Sequence, residues 1–134
     1  MIDYQNEVFT NVATEIRSKH DGVTIAGEYM RSPSEFPMVT VEEIDNVTVD
    51  SLVDSSDVET YAGIGYRVQV FSNKVGGKKA EARAIFATAD NVMRGMGFRR
   101  ITYSTTPEIY ESTIYSITAT YDAVVDVRGS IYKR

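Results

Sequence analysis

Few residues in this chain have the types and spacing from which an active site is ordinarily built. A histidine base would have to be His20, the single histidine. It closes an amphipathic stretch, where positive charge suits a helix C-terminus, and this solvated role outweighs catalysis. Glu42 and Glu43 are neighbours in an alternating segment, so they point to opposite faces of a strand and cannot share one substrate. With one histidine and no cysteine, neither a disulfide framework nor the usual transition-metal ligand set is available. The sequence therefore assigns no catalytic, cofactor or metal residue, and it is read as that of a non-enzyme.

Two glycine patterns resemble nucleotide-binding motifs only superficially. Gly63 and Gly65 in "GIG" lie inside an alternating strand, without the helix a dinucleotide fingerprint requires. A bulge or a close backbone approach is the better reading. Gly76, Gly77, Lys78 and Lys79 in "NKVGGKKAEA" do open a helix whose amides could hold an anion. Their spacing is not that of a P-loop, and a solvated turn is the stronger reading. The start "MIDYQNEVF" carries acids where a signal peptide needs a basic start and an apolar run. The sequon Asn46-Val47-Thr48 is thus expected to be idle, and the protein to be made in a reducing cytosol or assembled there into something larger. The tyrosines are spaced as strand core or cross-strand pairs, without the basic stripe that base stacking demands.

The elements behind these residues follow from periodicity. Tyr4, Val8, Phe9, Val12 and Ile16 predict a helix from about Asp3 to Lys19, with Asp3 as N-cap and "DG" at Asp21 and Gly22 ending it. Strands are predicted over Val23–Tyr29 and Met38–Ile44. A long serine- and aspartate-rich acidic loop over 45–60 comes next, then a strand carrying Ile64, Tyr66, Val68 and Val70 on one face. A second helix spans Lys78–Met96, its inner face carrying Ala82, Ile85, Ala89, Val92 and Met96, with Gly95 or Gly97 ending it. "FRRITYST" is a fourth strand, "TPEIYE" a connection, and Tyr115–Val127 a fifth strand of unusual length, followed by a basic tail over 128–134. The order α-β-β-β-α-β-β predicts one α+β domain over 1–134, a mostly antiparallel sheet with both helices on one face. At 134 residues, with 43% hydrophobic and 25% charged side chains, the chain can bury a core without staples. No segment approaches the length needed to span a bilayer as a helix.

Charge is unevenly laid out, on a net of −5 that argues against a general nucleic-acid binder. Glu42, Glu43, Asp45, Asp50, Asp54, Asp57 and Glu59 follow one another without an intervening lysine or arginine. Lys74, Lys78, Lys79 and Arg83 gather at the second helix, Arg99 and Arg100 at the fourth strand, and Arg128, Lys133 and Arg134 at the end. One account of this pattern is a solvated acidic loop that keeps the protein soluble. The other account is a polarised subunit that assembles head-to-tail, acidic face against basic neighbour, and closes into a ring.

The element order and the segments "YQNEVFTNVATEI", "FPMVTVEE", "GYRVQVFS", "KKAEARAIFATADNVMRGMGF" and "RRITYSTTPEIYESTIYSITATYDAVVD" together resemble the tail-terminator, or tail-completion, proteins of long-tailed bacteriophages. The resemblance implies a non-enzymatic virion protein, a homo-oligomeric and usually hexameric ring at the tail–head junction, assembled in the host cytoplasm. Its implied partners are other copies of itself, the tail tube protein and a head-completion or connector protein, with DNA only in transit and no membrane. The acid-rich stretch would fringe the channel, where a negative wall lets DNA slide. Alternatives are another head–tail connector or neck protein, or a ferredoxin-like binding module with an anion site at the second helix start. In the long strand, Tyr115, Ile117, Ala119 and Tyr121 are expected to face the helices, and Ser116, Thr118, Thr120 and Asp122 to face water, a neighbour or the channel. Its far end, "VVDVRGSIYKR", is expected to engage an adjacent subunit by strand pairing or a basic contact.

Overall fold

The computed structural model describes residues 5–27, 35–48, 61–107, 114–126 and 131–132. Asp3 and Tyr4, most of the acidic loop, the last four residues of "TPEIYE" and most of the basic tail lie outside the described residues. The elements are α1 (Gln5–Lys19), β1 (Thr24–Ala26), β2 (Met38–Thr48), β3 (Tyr61–Ser72), α2 (Lys78–Gly95), β4 (Arg99–Pro107), β5 (Tyr115–Asp126) and β6 (Ile131–Tyr132). The mixed α+β class, the two helices and the mostly antiparallel sheet are as the periodicity predicts.

The sheet runs β1-β2-β3-β5-β4, with β6 pairing β5 off that path. One pairing departs from expectation: β1 lies parallel to β2 through Thr24–Met38, Ile25–Val39 and Ala26–Thr40. Parallel neighbours cannot be joined by a tight turn, and β1 and β2 are separated in sequence by residues 27–37. β2 also outruns its predicted end at Ile44. Asn46, Val47 and Thr48 pair with Ile64, Gly63 and Ala62, so a ladder with β3 overrides the weak strand preference of Asp45 and Asn46. Asp45 therefore sits in a strand rather than in the loop. A bulge at Ile44 absorbs the shift, and Gly65 faces it: a Cβ there would come 3.1 Å from Cβ of Asp45. This close approach is the reading given to "GIG".

Alternation in β3 and β5 builds the core. Ala62, Ile64, Tyr66, Val68 and Val70 meet Ile117, Ala119, Tyr121, Ala123 and Val125 on one face, all buried, under Val8, Val12 and Ile16 of α1. From α2 the buried face is Ala82, Ile85, Phe86, Ala89, Asp90 and Met93. It is centred on Phe86 and Met93, while the expected Val92 and Met96 sit only at its margin. Helix α2 ends on Gly97 at φ +105°, with Phe98 N–H donating to the Met93 carbonyl and Gly97 N–H to that of Arg94. Those two bonds are the pattern that a left-handed glycine permits at a helix end.

The length of β5 has an internal explanation. β3 pairs with it along its whole length, from Tyr61–Asp126 to Ser72–Tyr115. On its other edge β4 covers Tyr115–Asp122, and β6 then takes over, pairing Ile131 with Val125 and Tyr132 with Val124. The strand is central, and its far end folds back on its own chain. Val124 and Val125 thus have an intrachain partner, and most of the rest of "VVDVRGSIYKR", expected to engage a neighbour, lies outside the described residues.

Ile117 of β5 is fully buried in the core, whereas Ile101 is exposed on β4. Ile117→Ala is expected to lower the unfolding free energy by about 2–4 kcal/mol, and Ile101→Ala by no more than about 0.5 kcal/mol. Urea denaturation of the two variants checks this pair of outcomes.

Candidate functional site

The face of the sheet turned away from the helices is built from hydroxyls, amides and paired charges. Register aligns Glu42, Arg67, Thr120 and Thr102 in one row across β2, β3, β5 and β4, and Thr40, Gln69, Thr118 and Ser104 in the next. Arg67 forms an ion pair with Glu42. The Thr40 hydroxyl donates to Gln69 Oε1 at 3.2 Å, and the Thr102 and Thr120 hydroxyls lie 2.6 Å apart. Arg99 grips Asp122 through Nε and Nη2 at 3.2 and 3.1 Å. The hydrogen bond and then the charge of Asp122 raise the Arg99 pKa further above its ordinary value. The polar row expected to face water or a neighbour is thus engaged within the chain: Ser116 is buried, and Thr118, Thr120 and Asp122 are half-buried. Met38 and Phe71, paired across this same face, are buried too.

On the helix side, Asp90 gathers a small polar cluster at the edge of the core. The Tyr121 hydroxyl donates to Asp90 Oδ1 at 2.6 Å, Arg100 Nη1 approaches the same oxygen at 3.4 Å, and Arg94 lies 3.8 Å from Oδ2. Arg100 also stands 5.5 Å from the Tyr103 ring centroid. Burial first, then the bond to Asp90, pushes the Tyr121 phenol well above the usual tyrosine range. His20 has a structural partner as well, with Nε2 2.8 Å from the Thr88 hydroxyl of α2.

The charged residues singled out from the sequence fall into separate groups. Glu42 and Glu43 do point to opposite faces, Glu42 to Arg67 and Glu43 to Gln5 of α1, whose side-chain amide donates to it at 2.9 Å. Asp45 is exposed and makes no ion pair among the described residues. Asp50, Asp54, Asp57, Glu59, Arg128, Lys133 and Arg134 lie outside the described residues. Arg99 and Arg100 hold Asp122 and Asp90, so they are not simply a free basic surface. Lys74, Lys78, Lys79 and Arg83 border an open hollow of about 650 Å³ at the turn before α2. Gly76 at φ +76° shapes that turn, and Gly77 caps the helix without a side-chain bond. The first turn already holds its own carboxylate, because Glu81 accepts a 2.7 Å hydrogen bond from Ser72 there.

Sequence reasoning missed the two edges of the sheet. β1 covers only Met38–Thr40 of β2, which leaves Val41–Thr48 without a strand on its outer side among the described residues. β4 ends the sheet on the opposite side. Each edge strand bulges at an isoleucine, Ile44 in β2 and Ile101 in β4. Pattern counting fails here because a bulge breaks the period of two that defines a face. Among the described residues there is no group of three or more His, Cys, Asp or Glu arranged to hold a metal, and no helix long and apolar enough to cross a membrane. Compared with known proteins, the sequence matches no family model and has no significant counterpart among curated proteins.

The Tyr121–Asp90 bond carries a pH signature. A phenol with a raised folded pKa keeps its proton longer in the folded state. Its contribution is therefore complete below about pH 10, the unfolded tyrosine value, and is lost as pH rises above it. Tyr121→Phe is expected to cost about 1–3 kcal/mol at neutral pH and to remove part of the alkaline loss of stability. Denaturant melts at pH 7 and above pH 10 check both effects.

Proposed function

We propose that this protein is a structural subunit of a phage tail-terminator ring, which caps the tail tube and joins it to the head without catalysing a reaction. The observation that carries the reading is the combination of element order and the long interior strand β5 with the segment resemblance described above. The chemistry is consistent with it. Charges of opposite sign on the helix-free face are paired, Glu42 with Arg67 and Asp122 with Arg99, and hydroxyls fill the rows between them. A face of that kind offers phosphate no uncompensated basic cluster, which suits a wall past which DNA moves. The acid-rich stretch expected to fringe the channel lies, from Asp50 to Glu59, outside the described residues.

The partners in this reading are further copies of the chain, the tail tube protein and a head-completion or connector protein. The site of action is the tail–head junction of the virion. A binding module with an anion site before α2 is the weaker reading, since Glu81 already sits at that helix start.

Light scattering of concentrated protein is expected to give a mass near about 90 kDa for a closed hexamer of 14.9 kDa chains, and negative-stain images should show rings with a central hole. A monomer mass at every concentration, joined to a thermal shift on adding phosphate or nucleotide, would transfer the assignment to the binding module.

A further inference from the structure

Two features of opposite charge lie at opposite ends of β3. At the far end, directly after Ser72, the hollow of about 650 Å³ is walled by Lys74, Lys79 and Arg83, all exposed. None of these three has an ion pair among the described residues, whereas Lys78 in the same wall has a partner of its own. Glu81, the one carboxylate between Asn73 and Arg83, accepts the Ser72 hydrogen bond. Val75 stands 99% exposed among the cations. The hollow thus presents three uncompensated positive charges around an apolar side chain, in a chain whose net charge is −5.

At the near end, residues 49–60 leave β2 after Thr48 and return to β3 at Tyr61, beside the Thr48–Ala62 pair that ends the ladder. They read "VDSLVDSSDVET", with acids at Asp50, Asp54, Asp57 and Glu59, no base, and Leu52, Val53 and Val58 among them. Acid interleaved with apolar residues is the chemical complement of the hollow. Chain geometry decides whose hollow this run can meet. From Tyr61 to Ser72, β3 spans about 35 Å at the rise of an antiparallel strand. A twelve-residue segment that must return to its starting point reaches about 20 Å at full extension. The acidic run therefore falls well short of its own chain's hollow, and only that of another copy is open to it.

We propose that the hollow before α2 of one copy receives the acidic run Asp50–Glu59 of the next. Lys74, Lys79 and Arg83 meet its carboxylates, and Val75 meets its apolar residues. The side chains of the wall make this contact, since Glu81 already serves the first turn of the helix. Opposite ends of two copies are joined, so the contact is heterologous, and repetition with a constant rotation closes a ring. The inference rests on the ring reading above and names the surfaces that form its joint. Its charges are exposed, so the joint weakens as salt is raised.

The chain has no cysteine, so single thiols can report the contact. Val53→Cys and Val75→Cys proteins, mixed at low salt and mildly oxidised, are expected to give a disulfide-linked heterodimer well above the yield of Val53→Cys mixed with Ile101→Cys. Lys79→Glu and Arg83→Glu, added together to the Val75→Cys protein, set acid against acid and are expected to cut that yield about fivefold. Asp54→Lys with Asp57→Lys in the Val53→Cys partner is expected to restore it, which a merely damaged fold would not allow. A yield no higher than the Ile101→Cys control, or one untouched by the charge reversals, would overturn the proposal. So would a disulfide formed within single dilute chains carrying both Val53→Cys and Val75→Cys. Homodimers of Val75→Cys as abundant as the heterodimer would replace it with a two-fold contact. The mass of the unmodified protein separates this claim from the ring. A ring-sized mass without the heterodimer removes the joint and keeps the ring, the heterodimer without a ring-sized mass does the reverse, and the absence of both removes both.

Discussion

Twelve consecutive residues of β5 are held in one register against β3, and the placement of nearly everything else follows from that ladder. Side chains alternate across a strand, so a slip by one residue would carry Ile117, Ala119 and Tyr121 out of the core and Thr118 and Thr120 into it. The same ladder sets the height of β2 through β3, and of β4 and β6 through β5. Both helices lie on the apolar side of these strands because only there can Val8, Val12, Ile85 and Met93 be covered. The register is also what aligns Glu42 with Arg67 and Asp122 with Arg99, pairs that neutralise the other face.

A sheet specified so firmly at its centre still has to end somewhere. β1 blunts one side over only Met38–Thr40, and β4 is left as the outermost strand on the other. Unpaired strand edges are templates for further strands. In the proposed ring, the paired charges and hydroxyls of the helix-free face would have two roles, lining the channel and holding DNA weakly. The basic turn before α2 has no part in either role, and its hollow is the feature least tied to the rest of the structure.

The sequence shows its long periodic segments clearly. Val8, Val12 and Ile16 announce α1, and the Ile64–Val70 and Tyr115–Tyr121 alternations announce the central strands, because each pattern is local and strong. What it hides is set by distant residues. Asp45 and Asn46 look like loop residues and become strand only because β3 offers Gly65 and Ile64 as partners. β6 is two residues long, too short for any period to register, yet it explains why β5 extends to Asp126. Runs of acid and base are visible as composition, but the engagement of Arg99 by Asp122 and of Arg100 by Asp90 depends on register and packing. The buried face of α2 shifted toward Phe86 and Met93 for a similar reason. Asp90 turns inward to meet Tyr121, a polar contact that no hydrophobic count anticipates.

Hydrogen exchange, followed residue by residue in dilute and in concentrated protein, bears most directly on the proposal that copies of this chain assemble into a ring. Edge amides exchange quickly when they face water and slowly once a new strand pairs with them. Copies that close into a ring are expected to gain protection on concentration at two distinct surfaces, one for each neighbour. Exchange that stays the same at every described residue in dilute and in concentrated protein would contradict the ring.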